Sequence, residues 1–287
     1  MRILVTNDDG IDSEGLRVLA IAMQGCGDVT VVAPDDEYSG ASAALGALHR
    51  IHPEVHEVNR EGLGVVWAVS GPPALCVMFA RLGAFGPPFD MVVAGINPGV
   101  NVGRSVYHSG TVGAALTARS GGMTGVAVSQ AVRGFGIEGQ GWDEMLRDQC
   151  WDGAAEVAST VVGALVSDMP PAPVVINVNV PNSNVDRMVG WQRTSIGRIP
   201  PRVIADARLE PKVGHPGSYR VVMKWGDAVS LPEDTDGGAI ERDLVSVTAL
   251  GRLSEPPPPQ AAESDNHAMD AIGRSLDKLF GEALTRS

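Results

Sequence analysis

The chain has 287 residues, 44% of them hydrophobic, and its 34 acidic side chains outnumber 22 basic ones for a formal net charge of −12. That is apolar matter for one large globular domain, or a domain with an appendage, and it argues against a broad basic surface, so no nucleic-acid duplex is expected as a partner. A small anionic substrate stays open, because a bound metal reverses the sign of the field locally.

The first element is a strand over residues 3–5, an apolar run that stops abruptly on Asn7-Asp8-Asp9-Gly10. A helix is expected over 15–24, with Leu16, Leu19, Ala20 and Met23 at helical spacing and Gly25 as its stop. Strands follow at 29–33 and 65–69, a helix at 74–82, and a buried strand at 91–94 that breaks into Gly95-Ile96-Asn97-Pro98-Gly99. Ser109 is a natural N-cap for the Ala-rich helix at 112–120. Two more strands, 125–129 and 174–180, are separated by a Gly-rich loop at 134–141 and a helix at 152–167. Strands alternating with helices in this way predict βαβ units, and hence an α/β fold with one doubly wound parallel sheet through residue 180.

Residues 182–233 change character: Pro200, Pro201, Pro211, Pro216, many charges and the alternation at 219–225 predict a projecting β-hairpin arm. Such an arm either pairs with another subunit or caps the site as a flap. Another strand is expected at 244–250, closing a domain that spans 1–253. Four consecutive prolines, Pro256 to Pro259, make 254–264 a stiff linker. Beyond it, Met269, Ile272, Leu276, Leu279, Phe280 and Ala283 give 265–287 the pattern of an amphipathic C-terminal helix, expected to dock on its own domain.

Cys26, Cys76 and Cys150 are odd in number and at no metal-ligand spacing, which reads as core thiols in a reducing compartment. The N-terminal run is too short and too quickly charged for a signal peptide or anchor, and no apolar stretch reaches the roughly 18 residues of a spanning helix. A cytoplasmic protein without a membrane partner is the expectation.

Three predicted strand ends fall on one edge of the sheet: Asp8-Asp9, the loop 35–42 and the loop 95–101. In open α/β sheets that edge holds ligands. Asn-Asp-Asp-Gly is also a good turn sequence, so the pair of carboxylates alone leaves a turn and a metal site both open. Three loops rich in carboxylate, hydroxyl and amide oxygens suit a hard cation, Mg2+, Mn2+ or Ca2+, rather than zinc. Ser109-Gly110-Thr111 at a helix start adds free N–H groups suited to phosphate.

Asn7-Asp8-Asp9-Gly10, Ala33-Pro34-Asp35 with Ser39-Gly40-Ala41-Ser42, Gly95-Ile96-Asn97 with Gly99 and Asn101, and Ser109 through Ala115 together strongly resemble the SurE family of metal-dependent nucleotidases, also called stationary-phase survival proteins. The resemblance extends through Ile176 to Pro181 and from Thr235-Asp236 to Thr248, so it covers about 1–250. It implies a Rossmann-like three-layer αβα core with a swapped hairpin arm, a homodimer or homotetramer, and hydrolysis of nucleoside 5′-monophosphates, with 3′-monophosphates as a further class. Carried over by position, Asp8, Asp9, Ser39 and Asn97 would hold one divalent metal ion per subunit, Mg2+ or Mn2+. Asn101, Ser109, Gly110 and Thr111, with Gly40 and Ser42 of the neighbouring loop, would bind the phosphate of a small substrate. Asp8 or Asp9 is the candidate proton acceptor.

The substrate surroundings depart from the family pattern. Ala43 stands where Asn is common, Gly71-Pro72-Pro73-Ala74-Leu75-Cys76 lacks the usual Thr and Asp, Arg104-Ser105 replaces a frequent acidic pair, and His108 replaces a Tyr. These changes keep open a related phosphatase acting on another phosphorylated metabolite, and a metal- and phosphate-binding module without catalysis. Arg104 is read as either a substrate clamp or a surface charge, and His108 as either a general acid or a surface histidine. His49, His52 and His56 read as solvated loop or strand, since Pro53 interrupts any helix that would align them. Asp35-Asp36-Glu37 reads as a solvated loop face. The Gly95 loop lacks the dinucleotide-binding glycine order, and no Walker lysine follows.

Overall fold

Ile3, Leu4 and Val5 are all fully buried, so this strand presents apolar side chains to both faces, as the centre of a parallel sheet requires. In the computed structural model, which describes residues 1–46, 48, 50, 52–133, 142–199, 204–227 and 229–251, it is β1 (Arg2–Thr6). It is followed by α1 (Glu14–Met23), β2 (Asp28–Pro34), β3 (Val55–Arg60), β4 (Gly64–Val69), α2 (Pro73–Arg81), β5 (Met91–Pro98), a 3-10 turn (Gly103–Tyr107) and α3 (Gly110–Ser120). The chain continues through β6 (Thr124–Gln130), α4 (Trp142–Met145), α5 (Trp151–Ser167), β7 (Val175–Val180), β8 (Gly190–Arg193), β9 (Ile204–Pro211), β10 (Tyr219–Trp225), α6 (Asp236–Glu241) and β11 (Leu244–Ala249).

Nine of these strands form one sheet in the order β3-β4-β2-β1-β5-β6-β7-β11-β8. The six from β4 to β7 are parallel, as the βαβ reading predicts. The sheet is nevertheless mixed: β3 runs antiparallel to β4, and β11, with β8 alongside it, runs antiparallel to β7. One face packs Ile3, Val5 and Val93 against Leu16, Leu19 and Met23 of α1 and Ala154, Ala158 and Val162 of α5. The other packs Leu4, Val92 and Ala94 against Cys76, Val77 and Ala80 of α2 and Ala114 and Ala118 of α3. This is the three-layer α/β arrangement. From β1 the chain builds outward through β2, then returns to place β5 on the opposite flank, so the crevice between β1 and β5 is the topological switch point.

The arm is shorter than 182–233. Its first part, β8, belongs to the main sheet, where it pairs with β11 from Leu244↔Gly190 onward. The buried Thr194 hydroxyl shares hydrogen bonds with those of Ser246 (2.8 Å) and Thr248 (2.7 Å), which ties the segment down. The projecting ribbon is β9–β10 alone. Leu209 lies opposite Val221 there, with Tyr219 and Met223 on the same face of β10, and all four are exposed. The chain divides after Leu250, and the expected linker at 254–264 and helix at 265–287 lie outside the described residues, as do the loop 134–141 and His49.

Candidate active site

The apolar run of β1 ends at the switch point and delivers Asn7, Asp8 and Asp9 there. Asn7 folds the following turn, its Nδ2 donating to the Gly10 carbonyl at 3.1 Å. Gly10 has φ +96°, and a Cβ on it would lie 3.2 Å from the Asp36 carbonyl oxygen, so the turn closes only on glycine. Asn-Asp-Asp-Gly is therefore a turn, and it is one that aims two carboxyls into the fold.

Asp8 is 3% exposed, and its Oδ1 accepts a hydrogen bond from the Thr111 hydroxyl at 2.6 Å. Burial pushes its carboxyl above the usual range, opposed by the Thr111 hydroxyl, its own amide, and the Thr111 and Gly110 amides at the start of α3. The helix N-terminus thus faces a carboxylate, which its dipole favours. Burial, followed by the charges of Asp8 and Glu37, raises the Asp9 carboxyl to about 8. Its Oδ2 is enclosed with no hydrogen-bond partner among the described residues. An orphaned carboxylate oxygen beside a second carboxylate is the arrangement a cation would relieve.

α3 begins where it does because Ser109 Oγ accepts the Val112 N–H at 3.0 Å. Two of its glycines permit close approach. A Cβ on Gly110 would fall 2.7 Å from Asp8 Oδ2, and one on Gly113 would fall 2.1 Å from the Ser42 carbonyl oxygen. The loop after β2 accordingly lies against α3, with the Ser42 N–H donating to the His108 carbonyl at 3.1 Å and the Tyr38 N–H to the Asp8 carbonyl at 2.7 Å. Gly40 and Ser42 both have positive φ in this loop, 81° and 53°. The structure thereby joins Asp8, Asp9, Ser42, Ser109, Gly110 and Thr111.

The other expected site residues are placed differently. Ser39 is exposed, and its hydroxyl donates to Glu37 Oε1 at 2.9 Å. Asn97 lies on β5, which continues past the expected break through a register shift between Ala94 and Asn97. Its Nδ2 donates to the Gly99 carbonyl at 2.5 Å. Among the described residues no hydrogen bond connects Ser39 or Asn97 to the Asp8–Asp9 pair, although all three stand on the adjacent strand ends of β2, β1 and β5. Asn101 is buried and committed: its Nδ2 donates to Ser129 Oγ (2.8 Å), its N–H to Asn179 Oδ1 (2.7 Å), and its carbonyl accepts from Asn177 (2.9 Å) and Asn179 (3.2 Å). Arg104 and His108 are exposed on and just after the 3-10 turn.

No three His, Cys, Asp or Glu side chains converge on one point among the described residues. A divalent cation would therefore rest on Asp8 and Asp9, with the hydroxyl of Ser39 and the amide oxygen of Asn97 to complete the protein's share. That set is all oxygen, and it fits a hard cation that keeps water or substrate in its remaining positions. His56 sits on the exposed strand β3, 3.4 Å from Glu54 Oε2, which is the surface placement expected of it.

The altered positions also have structural settings. Pro72 is the N-cap residue of α2 without a side-chain cap bond, and Leu75 is fully buried in that helix. Residues to which the spacing reading assigned no role complete the frame: Ser129, Asn177 and Asn179 around Asn101, and Asp236 in α6. For Ser129, Asn177 and Asn179 the signal is polarity inside strands that otherwise read as apolar; Asp236 stands at the start of a helix with no such signal.

A family model described as "Survival protein SurE" matches residues 3–201. Proteins named 5′-nucleotidase SurE from Syntrophobacter fumaroxidans and Aeromonas hydrophila are 35% and 36% identical to the chain, each over 87% of it and over 93% and 92% of their own lengths. The crystal structure of the SurE protein from Aquifex aeolicus superimposes with a TM-score of 0.70 at 26% identity, covering 89% of this chain and 95% of that one. The matched family region runs from β1 through β8 and so takes in the carboxylate pair, the three loops around it and the start of α3. The chain belongs to the SurE family.

Proposed function

We propose that the protein is a divalent-metal-dependent phosphomonoesterase that hydrolyses nucleoside 5′-monophosphates, and 3′-monophosphates as a second class, to nucleoside and phosphate. The observation that carries this reading is the orphaned Asp9 oxygen beside Asp8, set against the N-terminus of α3. Family membership and relatives named as 5′-nucleotidases support it. Mg2+ or Mn2+ bound by Asp8, Asp9, Ser39 and Asn97 would supply Lewis-acid stabilisation of charge on the phosphoryl oxygens.

The remaining work falls to the chain itself. The Ser109 turn and the first residues of α3, Gly110 and Thr111, hold the phosphoryl oxygens at the helix start, sharing their amides with the Asp8 carboxylate that they face, with Ser42 and Gly40 alongside. Water attacks phosphorus in line, a new P–O bond forms as the ester P–O bond breaks, and the water proton passes to a carboxylate. Asp9 suits that role better than Asp8, which is already bonded to Thr111. His108, exposed beside the loop, gives a proton to the departing oxygen.

The arm's exposed Leu209, Tyr219, Val221 and Met223 support assembly as a homodimer or homotetramer, because a two-stranded ribbon cannot bury such a face alone. Free Cys26, Cys76 and Cys150 support a reducing, cytoplasmic setting, and no helix among the described residues is long and apolar enough to cross a membrane. The test is phosphate release from a panel of phosphate monoesters with Mn2+ or Mg2+, repeated after EDTA. Release from nucleotides that EDTA abolishes is expected; no metal-dependent release from any monoester would leave only a binding module. A second reading, a specialised phosphorylated metabolite, is favoured by the exposed cation Arg104 beside the site. Uniform preference for nucleotides across the panel would remove it.

A further inference from the structure

Asp236 opens α6, far from Asp8 in sequence, and its side chain is completely buried. Its Oδ1 accepts the N–H groups of Gly197 and Gly237, both at 2.9 Å, and its Oδ2 accepts the N–H of Gly103 at 2.9 Å. A buried carboxyl survives only where such donors meet it, and bonds to a charged acceptor are among the strong ones. Gly237 is local to α6, whereas the other two amides come from distant segments. Gly103 starts the 3-10 turn that carries Arg104, and Gly197 lies between β8 and the arm.

From Val102, the residue before Gly103, hydrogen bonds lead on to the start of α3. Ser105 donates to the Val102 carbonyl through both its N–H (3.1 Å) and its hydroxyl (2.7 Å). The His108 and Ser109 N–H groups both donate to the Ser105 carbonyl at 3.0 Å, and Ser109 then caps α3. Gly103 has φ +54°, and a Cβ there would lie 3.1 Å from the Gly197 carbonyl oxygen, so the turn is pressed against the segment leading to the arm. A shift at Gly103 is therefore transmitted to Ser109 and the Gly110–Thr111 amides.

We infer that Asp236 is a positioning residue: by holding Gly103 and Gly197 on one carboxyl it fixes the turn that sets the phosphate-binding end of α3, and anchors that turn to the root of the arm. This rests on the reading of Ser109, Gly110 and Thr111 as the phosphate cradle. Asp236→Asn isolates the effect, because an amide oxygen still serves Gly197 and Gly237 while its NH2 opposes the Gly103 N–H, donor against donor.

The experiment measures binding of inorganic phosphate to the full chain in the presence of Mn2+ by calorimetry, Mn2+ affinity by electron paramagnetic resonance, and steady-state kinetics. Asp236→Asn is expected to weaken phosphate binding about tenfold and to raise KM more than it lowers kcat, since a small misplacement of positioning groups costs this much or more. Mn2+ affinity should fall less than phosphate affinity, because Asp8 and Asp9 follow directly on β1 and only Asp8 is bonded to the start of α3. Unchanged phosphate affinity in a folded variant, or a lowered melting temperature as the only effect, overturns the inference. If Asp236→Asn does not fold, Ser105→Ala loosens the same turn by one hydrogen bond, with about a threefold loss of phosphate affinity expected and none overturning the inference. Failure of the unmodified protein to bind phosphate would overturn the cradle reading itself, before any substitution is compared.

Discussion

Asp9→Asn should reverse its effect on stability according to whether a metal is present. In the unfolded chain Asp9 ionises near ~3.9, whereas in the fold burial and the charges of Asp8 and Glu37 hold it to about 8. The native state thus binds the proton more tightly than the unfolded state. Its advantage is complete below about pH 4 and is lost as pH rises through the window up to about 8. The full gap corresponds to roughly 5 kcal/mol, and solvent reaching the half-buried side of Asp9 reduces this to about 2 kcal/mol, or near 6 °C in melting temperature. Asparagine has no proton to lose. The metal-free variant should therefore melt only slightly above the parent at pH 5 and about 6 °C above it at pH 9. Saturating Mn2+, at a hundredfold excess over its Kd, should instead raise the parent by about 2.7 kcal/mol and leave the variant unmoved. Differential scanning calorimetry from pH 5 to 9, with and without Mn2+, checks both. A melting difference that does not change with pH, or an equal Mn2+ shift in both proteins, would show that Asp9 neither gains its proton on folding nor holds the metal.

Thr111→Val removes the 2.6 Å bond to Asp8 while keeping the shape of the side chain. Thermal melts should show a loss of about 2 kcal/mol, and Mn2+ titration about a tenfold weaker Kd. Gly110→Ala would ordinarily be harmless at a helix start, but its Cβ would fall 2.7 Å from Asp8 Oδ2. It should therefore reduce Mn2+ affinity at least about tenfold, and an unchanged Kd would show that Asp8 has room to move. Val221→Asp places a charge opposite Leu209 on the exposed face of the arm, and sedimentation velocity should show the proposed oligomer dissociating while each subunit keeps its melting temperature.

The elements readable from sequence were those with a single strong period. β1, β2, β5 and β6 have apolar centres on both sides of the pleat, β7 carries Ile176, Val178 and Val180 on one face, and α1 and α5 carry stripes of Leu, Ala and Val. β3 was not expected because Val55-His56-Glu57-Val58-Asn59-Arg60 is an exposed or half-exposed edge strand with no buried face to impose alternation. α6 was missed because Gly237 and Gly238 oppose a helix, which stands on the Thr235 cap instead. β8 reads as part of the arm in sequence because Trp191 is exposed and its partner β11 lies more than fifty residues on.

The site divides along the same line. Asp8 and Asp9 at a strand end and Ser109 at a helix start were legible because each is a local signal. The Asp8–Thr111 bond, the commitment of Asn101 to Ser129 and Asn179, and the Gly103 and Gly197 amides on Asp236 are long-range pairings that spacing does not encode. Ser39, turned toward Glu37, is the clearest case of a residue expected at the site by position whose hydroxyl is bonded elsewhere.

In the proposed function Asp8 and Asp9 hold the divalent ion on which hydrolysis depends. The most direct test of that role follows phosphate release from a nucleoside 5′-monophosphate while Mn2+ is titrated into EDTA-treated protein, beside Mn2+ binding measured on the same sample. The half-maximal Mn2+ concentration for release should coincide with the measured Kd, and Asp9→Asn should lose both. Phosphate release that survives EDTA, or that persists in Asp9→Asn without bound Mn2+, would contradict it.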